Sequence, residues 1–419
     1  MFRPLAAQPV IADRANRQRP DVSTEEWSAK VPEFILSDSL LDNCAQRAAA
    51  YDRENRFFFE DLEELRAAKY LLAVVPREFG GLGLTLCEIC QEQRRLARRS
   101  APTALAVNMH LGATGHAADL WRKGNSSLAW MLEEAAQGAI FAYGYSESGN
   151  DLEGLYSTTR AERADGGWRF YGHRHFGSLS PVWNWLNTYG VDASDPNDPK
   201  LVFAVISRES PGYRIVEHWD TLGMRATQSH DTILEGVFVP DRYVQRIGKP
   251  GFAGSDEFLL TIFGWFEPLF ANIYVGLAER ARDLAIERVK KKTSVAMGRS
   301  MAYHPEVQHI AARIFYELEA MVPQVERIAD DWTNNRDHGE LWPAKLVAVK
   351  HRCVEGAFKV ADLALEISGG RGMFRGDELE RLYRDARCGR FHPANPMVVH
   401  EVMGKCALGV LADEGPRWG

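Results

Sequence analysis

The period of the apolar residues changes twice along the chain, and that double change most constrains what it can fold into. Between about 35 and 70, Leu40, Leu41, Cys44 and Ala48, then Leu62, Leu65 and Ala68, are set among charged residues. Recurrence at three- and four-residue steps puts such residues on one face of a helix. Pro76-Arg-Glu-Phe-Gly-Gly-Leu-Gly83 breaks the pattern as a turn. Helical texture resumes over 86–99, 101–120 and 128–140. Near 141 it gives way to short segments rich in aromatic and β-branched residues: Trp168–Phe176, Leu186–Tyr189, Leu201–Ile206, Tyr213–Val216 and Thr232–Val239. Gly, Asp, Asn and Pro lie between them, as in a small antiparallel sheet. Asp195-Pro-Asn-Asp-Pro199 reads as a turn in a long hairpin loop. From about 255 the helical period returns, with Leu269, Phe270, Ile273, Leu277, Ala281 and Leu284. Further helical stretches are expected at 305–331, 341–368, 377–387 and 396–410. Long helices with broad apolar stripes bury themselves in a bundle.

The expected class is therefore α+β, divided into an N-terminal arm (1–32), a helical domain (33–140), a middle antiparallel β-domain (141–252) and a helical bundle (253–419). A chain of 419 residues is long enough for two or three packed subdomains. The formal net charge of -7 argues against a nucleic-acid backbone and against an anionic membrane surface as partner. No stretch approaches the roughly 18 charge-free apolar residues of a membrane span, and the N-terminus lacks a signal-peptide apolar core. Among six cysteines only Cys87-Glu-Ile-Cys90 is close-spaced. Its leucine and isoleucine neighbours point to a helix with partly buried thiols, so no metal site is expected. Reduced thiols in a cytoplasmic protein are the default.

Several motifs, in order, resemble the acyl-CoA dehydrogenase superfamily. Pro76–Gly83 is similar to an early Pro-x-x-Tyr-Gly-Gly-x-Gly turn. Leu222-Gly-Met-Arg-Ala-Thr-Gln-Ser-His-Asp231 resembles a Gly-Met-Arg-x-Thr-x-Ser loop, and Val237-Phe-Val-Pro240 the strand end after it. Gly369-Gly370 and Leu382-Tyr-Arg-Asp-Ala-Arg387 resemble the C-terminal signature. The resemblance implies an N-terminal helical domain, a middle β-domain, a C-terminal four-helix bundle and a homo-oligomer, tetrameric or dimeric.

The resemblance also implies a flavin between β-domain and bundle. Tyr145-Ser-Glu-Ser-Gly-Asn150-Asp151 resembles a shortened flavin loop, placing Tyr145 and Ser146 at the isoalloxazine and Asn150 near pyrophosphate or substrate. Donors there would meet the negative charge that grows on the reduced ring. Phe176 would pack on the ring and Ser178 donate to N5. At the adenine end, Lys292, Gln308, Glu366 and Gly370 match contact positions, although Lys292 replaces an arginine fork and Val295 an aromatic ring. FAD is the expected cofactor, with reduced FMN as the alternative. Arg225 and Asn395 are candidate substrate contacts. Arg384, Asp385 and Arg387 read as structural.

Two chemistries follow. The first is α,β-dehydrogenation of an acyl-CoA thioester, with an electron-transfer partner. It needs a carboxylate base. The C-terminal stretch has His392-Pro393-Ala394-Asn395 where many members have a glutamate, so Glu267, just before Pro268, is the candidate base. The same residue would also suit a simple helix N-terminus. The second chemistry resembles the dibenzothiophene monooxygenase branch, which uses reduced flavin from a reductase and oxygen through a C4a-hydroperoxide, on an aromatic or acyl-CoA substrate. His392, Ser178 and His110 would then manage the proton. His110, in Asn-Met-His-Leu-Gly, also reads as a residue at a helix end. Dehydrogenation is the first expectation and monooxygenation the alternative.

Overall fold

The computed structural model describes residues 34–150, 154–251 and 256–410; the expected arm at 1–32 lies outside them. The first helical layer comprises α1 (Asp38–Glu54), α2 (Phe59–Ala67), α3 (Leu86–Ala97), α4 (Ala101–Arg122) and α5 (Ala129–Ala136). The α3 start is fixed by a capping box, in which Thr85 and Glu88 satisfy each other's backbone N–H. Cys87 and Cys90 fall on α3, the second buried and the first half-buried.

α4 is buried on nearly every side, and two glycines explain how closely it is approached. A Cβ on Gly112 would lie 2.4 Å from the Phe266 ring, and one on Gly115 would lie 2.1 Å from the Trp265 ring. His110 sits inside α4 rather than at its end, because Ala113, Ala117 and Leu120 carry the buried face on past it.

The middle layer holds β1 (Phe141–Tyr143), β2 (Arg160–Ala164), β3 (Gly167–Gly177), β4 (Trp185–Asp192), β5 (Lys200–Ser207), β6 (Tyr213–Val216), β7 (His230–Pro240) and β8 (Val244–Gly248). They form one sheet in the order β6-β7-β3-β2-β4-β5-β8, with β1 added beside β4. Pairing is antiparallel except at β4, which β1 and β2 join in parallel. The sheet is thus mixed rather than purely antiparallel. The parallel pairs arise because the chain enters β1 from α5 and reaches β4 only after the β2–β3 hairpin.

The bundle comprises α6 (Glu257–Lys291), α7 (Pro305–Thr333), α8 (Trp342–Ser368) and α9 (Glu378–Cys388), followed by α10 (Pro396–Leu408). A two-residue hairpin, β9 (Thr293–Ser294) with β10 (Arg299–Ser300), joins α6 to α7. α6 is long and apolar enough to cross a membrane, yet 83% of its most apolar window is buried inside the protein. It forms the hub of the helical core, packed on α3, α4, α7 and α8. Its first residue lies well before Glu267, so a helix-start role for Glu267 is corrected: the carboxylate and Pro268 stand inside the helix. Asp256 supplies the cap by accepting the Leu259 N–H at 3.1 Å.

Candidate functional site

Sheet and bundle meet around a cavity of about 400 Å³, of a size that holds small-molecule ligands. The sheet side is built by β3, the segment after β1, and the 219–229 loop. His175 donates its backbone N–H to the Ser146 carbonyl at 2.9 Å, which lays the Tyr145–Ser146 segment against β3. Beneath it lies a buried ion pair. Glu147 meets Arg174 at 2.8 Å and also accepts from Asn150 Nδ2 (2.7 Å), Ser157 Oγ (2.9 Å) and the N–H groups of Thr158 and Thr159 (2.9 and 2.7 Å). Burial opposes its charge, but Arg174 and this set of donors hold the carboxyl below its ordinary value. Asn150 is thereby turned onto Glu147 and the Tyr156 carbonyl.

Beyond the ion pair the cavity wall becomes hydroxylic. Ser178 Oγ and Ser229 Oγ are 2.8 Å apart, Ser229 Oγ and Thr227 Oγ1 are 2.7 Å apart, and Thr227 donates to the Met224 carbonyl at 2.8 Å. The loop carrying Thr227 and Ser229 is pinned from the bundle. Asp385 accepts the Met224 N–H at 2.6 Å, and Arg384 bridges Asp52 (2.6 Å) and Glu380 (2.6 Å) while donating to the Leu222 carbonyl (2.9 Å). Burial, the largest influence on Asp385, pushes its carboxyl up to about 6. Phe176 is held at φ 58 with 54% of its surface exposed, edge-on to Trp219. A positive φ at an aromatic residue is uncommon.

On the bundle side α6 contributes Phe263, Phe266, Glu267 and Phe270. Glu267 is 2% exposed, and its Oε2 has no hydrogen-bond partner among the described residues. Burial pushes this carboxyl up to about 7, against the pull of the Lys350 ammonium and a hydrogen bond from the Ala394 backbone. Lys350 on α8, itself 2% exposed, donates to the carbonyls of His392 and Ala394, each at 2.8 Å. It thereby holds the 392–394 segment in the cavity wall. His392 stacks on Phe270 with ring centres 5.3 Å apart, and its Nε2 lies 2.7 Å from Tyr274 Oη. Burial, assisted by Lys350, lowers the imidazole to about 3, so it is neutral at pH 7. Burial also raises the Tyr274 hydroxyl well above its ordinary value and keeps it protonated.

The cavity thus brings together Tyr145, Ser146, Asn150, Phe176, Ser178, Glu267, His392 and Asn395. Asn395 also caps α10, accepting the N–H groups of Met397 and Val398 (3.0 and 3.2 Å). Pro393 lines the wall as well and carries no acid–base group. His110 does not join the cavity: its Nε2 donates to the Leu71 carbonyl at 2.8 Å, and its Nδ1 accepts the Phe141 N–H at 3.2 Å. Both ring nitrogens serve the α4–β1 junction, and burial lowers the imidazole to about 4. Nor does Arg225 join. Its guanidinium binds Asp220 (2.7 Å) and the carbonyls of Asp52 and Thr221 (2.8 and 2.9 Å). Lys292, Gln308, Glu366 and Gly370 do not line the cavity either. Lys292 Nζ would meet a Cβ on Gly369 at 3.7 Å, the Gly369 N–H reaches the Glu366 carbonyl, and Gln308 donates to the Ala302 carbonyl at 3.1 Å.

Two features had escaped the sequence reading. Lys350 is one; its signal was a lysine on the apolar stripe of a helix. The other is a set of imidazoles converging on Asp231, with His173 Nε2 and His175 Nδ1 each 2.7 Å from Oδ2 and His218 Nε2 at 3.6 Å. The His173-x-His175 alternation on β3 puts both rings on one face.

The wall suits a flavin on three counts: a run of hydroxyls, an uncovered aromatic ring at Phe176, and a buried Tyr145 hydroxyl without a hydrogen-bond partner among the described residues. Comparison with known proteins agrees. The acyl-CoA dehydrogenase N-terminal domain matches residues 37–128, and the acyl-CoA dehydrogenase C-terminal domain matches residues 269–396. YdbM of Bacillus subtilis (strain 168), whose name assigns it to the acyl-CoA dehydrogenases, is 29% identical over 384 residues, covering 90% of this chain and 95% of that protein. The amino sugar nitrososynthase DnmZ of Streptomyces peucetius is 30% identical over 381 residues, covering 85% and 88%. Among solved structures, KijD3 in complex with FMN and a dTDP-linked amino-keto sugar superposes with a TM-score of 0.78 at 24% identity, over 90% of this chain and 93% of that one.

Proposed function

This chain belongs to the acyl-CoA dehydrogenase superfamily and is a flavin-dependent oxidoreductase, and from that premise we propose that it is a monooxygenase using reduced flavin and molecular oxygen. The observation that carries this reading is His392. It brings a neutral imidazole into the cavity wall at the end of the domain match, with Tyr274 on one ring nitrogen and no hydrogen-bond partner for Nδ1 among the described residues. Relatives in the superfamily include flavin monooxygenases and a nitrososynthase beside the dehydrogenases.

Bound reduced flavin would supply the electrons that activate oxygen. Ser178, through its Ser229 and Thr227 partners, would present a hydroxyl to the ring edge, and Phe176 would cover one face. Tyr274, which stays protonated, donates to His392 Nε2. Nδ1 then carries the ring hydrogen and offers a hydrogen bond to the reacting atoms. The aromatic lining from α6 keeps water out of that space. A flavin reductase is the implied partner, and FAD or FMN the flavin.

Dehydrogenation of an acyl-CoA is the second reading, favoured by one observation: Glu267 places a carboxylate in the same cavity. A single comparison separates the two. Oxidised flavoprotein mixed with a panel of acyl-CoAs without oxygen should keep its yellow colour, whereas reduced flavin, oxygen and substrate should give oxygenated product. Anaerobic bleaching by any thioester would overturn the monooxygenase reading.

A further inference from the structure

Resting on the monooxygenase reading, we infer that Glu267 is the seat for the polar end of the substrate, and that the substrate is an apolar molecule bearing an amine. The warrant is geometric. Glu267 lines the cavity, is 2% exposed, and has no hydrogen-bond partner for Oε2 among the described residues. In the ionised form, which the Lys350 charge and the Ala394 backbone favour, a carboxylate oxygen can only accept. Left unpaired and out of water it is costly, so the group that completes it must donate.

The surroundings narrow the donor. On α6, Leu259, Ile262, Phe263, Phe266 and Phe270 line the same cavity with hydrocarbon. They suit an alkyl or aryl body on the α6 side of the cavity. A carboxylate also repels a sulfinate or a carboxylate substrate, and it sets lone pair against lone pair with a thioether or a thioester carbonyl. Lys350 offsets the carboxylate's charge while donating to the His392 and Ala394 carbonyls. The seat therefore suits an N–H donor that need not carry a full charge. An amine held there as the free base keeps a nucleophilic nitrogen lone pair for oxygen transfer, whereas the lone pairs of an alcohol oxygen are far weaker nucleophiles. His392 lines the same cavity and offers a hydrogen-bond donor of its own.

The test uses a shape-matched pair, 2-phenylethylamine and 2-phenylethanol, with the flavin-reconstituted protein and its E267Q and E267D variants. Binding is read by calorimetry and by perturbation of the flavin absorbance, with no turnover required. The wild type should bind the amine at least about 10-fold more tightly than the alcohol. E267Q should lose that preference while keeping its flavin and its alcohol affinity, and E267D, with the acceptor drawn back, should fall between. Equal binding of both compounds by the wild type, binding of neither, or a preference that survives in E267Q would overturn the inference. Oxygen-dependent turnover of an amine-free substrate, with no amine preference, would leave the monooxygenase reading standing and remove this one. Anaerobic bleaching by thioesters would remove the reading beneath it.

Discussion

Replacing Lys350 by methionine isolates what holds the bundle side of the cavity. Methionine keeps most of the aliphatic stem and removes only the ammonium. Two hydrogen bonds from a charged donor are lost, to the His392 and Ala394 carbonyls at 2.8 Å, and bonds of that kind contribute about 1.5–3 kcal/mol each. The Glu267 carboxylate also loses the cation beside it. Removing one partner from a buried ion pair generally costs about 3–5 kcal/mol in total. Glu267 limits the damage by taking up a proton, which it does readily because burial has already raised its carboxyl to about 7. The sign follows. A carboxyl raised in the folded protein contributes stability that is lost as pH rises through its folded pKa. Without Lys350 that pKa rises further, so the deficit of K350M relative to wild type should widen above pH 7 and narrow toward pH 5. Urea unfolding followed by tryptophan fluorescence should give a loss of about 3–4 kcal/mol at pH 8 with an unchanged m-value. The double variant E267Q/K350M should recover about 1–3 kcal/mol relative to the sum of the single variants. A K350M deficit under about 1 kcal/mol at pH 8, or strict additivity in the double variant, would refute the pairing.

Other perturbations test separate parts of the fold and site. Gly112→Ala and Gly115→Ala should each destabilise by about 1–3 kcal/mol, by driving a methyl into the Phe266 or Trp265 ring; thermal unfolding at wild-type values would show that α4 and α6 are less closely packed. His116 is buried, and burial lowers it to about 3, so the unfolded chain takes up a proton below pH 6.5 that the folded one refuses. His116→Gln should flatten the loss of stability between about pH 6 and pH 4 by about 1.4 kcal/mol per pH unit, and an unchanged acid limb would contradict this. Tyr274→Phe should leave flavin affinity intact yet lower turnover by about 10-fold or more, as when a positioned hydrogen-bond donor is lost; full activity would remove His392 from the reacting site. Light scattering should show an oligomer, because Val295, Tyr316, Met373 and Phe374 leave apolar surface on the bundle exposed; a monomer with full flavin affinity would contradict it.

Where a residue's role is set by its own segment, it could be read from the sequence. The 213–216 strand and the helices at 305–331 and 341–368 declared themselves by period, because the apolar face of each element is local information. The strands β1, β2 and β8 did not. β2 alternates, but with arginine and glutamate on its outer face, and β1 is three residues long, so neither offers enough residues for a pattern. β8 owes its pairing to β5 more than to its own residues. The sheet's parallel pairs were likewise invisible, since they depend on chain order across the β2–β3 hairpin.

The site divides along the same line. Tyr145, Ser146, Phe176 and Ser178 lie in short stretches whose order along the chain was informative, and all four line the cavity. His110 matched in the same way, yet its chemistry is decided by two backbone groups, Leu71 C=O and Phe141 N–H, that no local pattern reveals. Glu267 is the most instructive case. Glu-Pro resembles a helix start because proline tolerates that position. Here the helix runs through it, since α6 is packed on every side and tertiary burial outweighs the hydrogen bond that Pro268 forfeits. That burial is also what gives the carboxylate its chemistry. At a helix start in water Glu267 would be an ordinary acid, whereas inside α6 it is raised, balanced by Lys350 from another helix, and left with one oxygen open to a donor. The residue type was legible from the sequence. Its reactivity belongs to the packing of α6 against α8 and the 392–394 segment, and it appears only when those three are brought together.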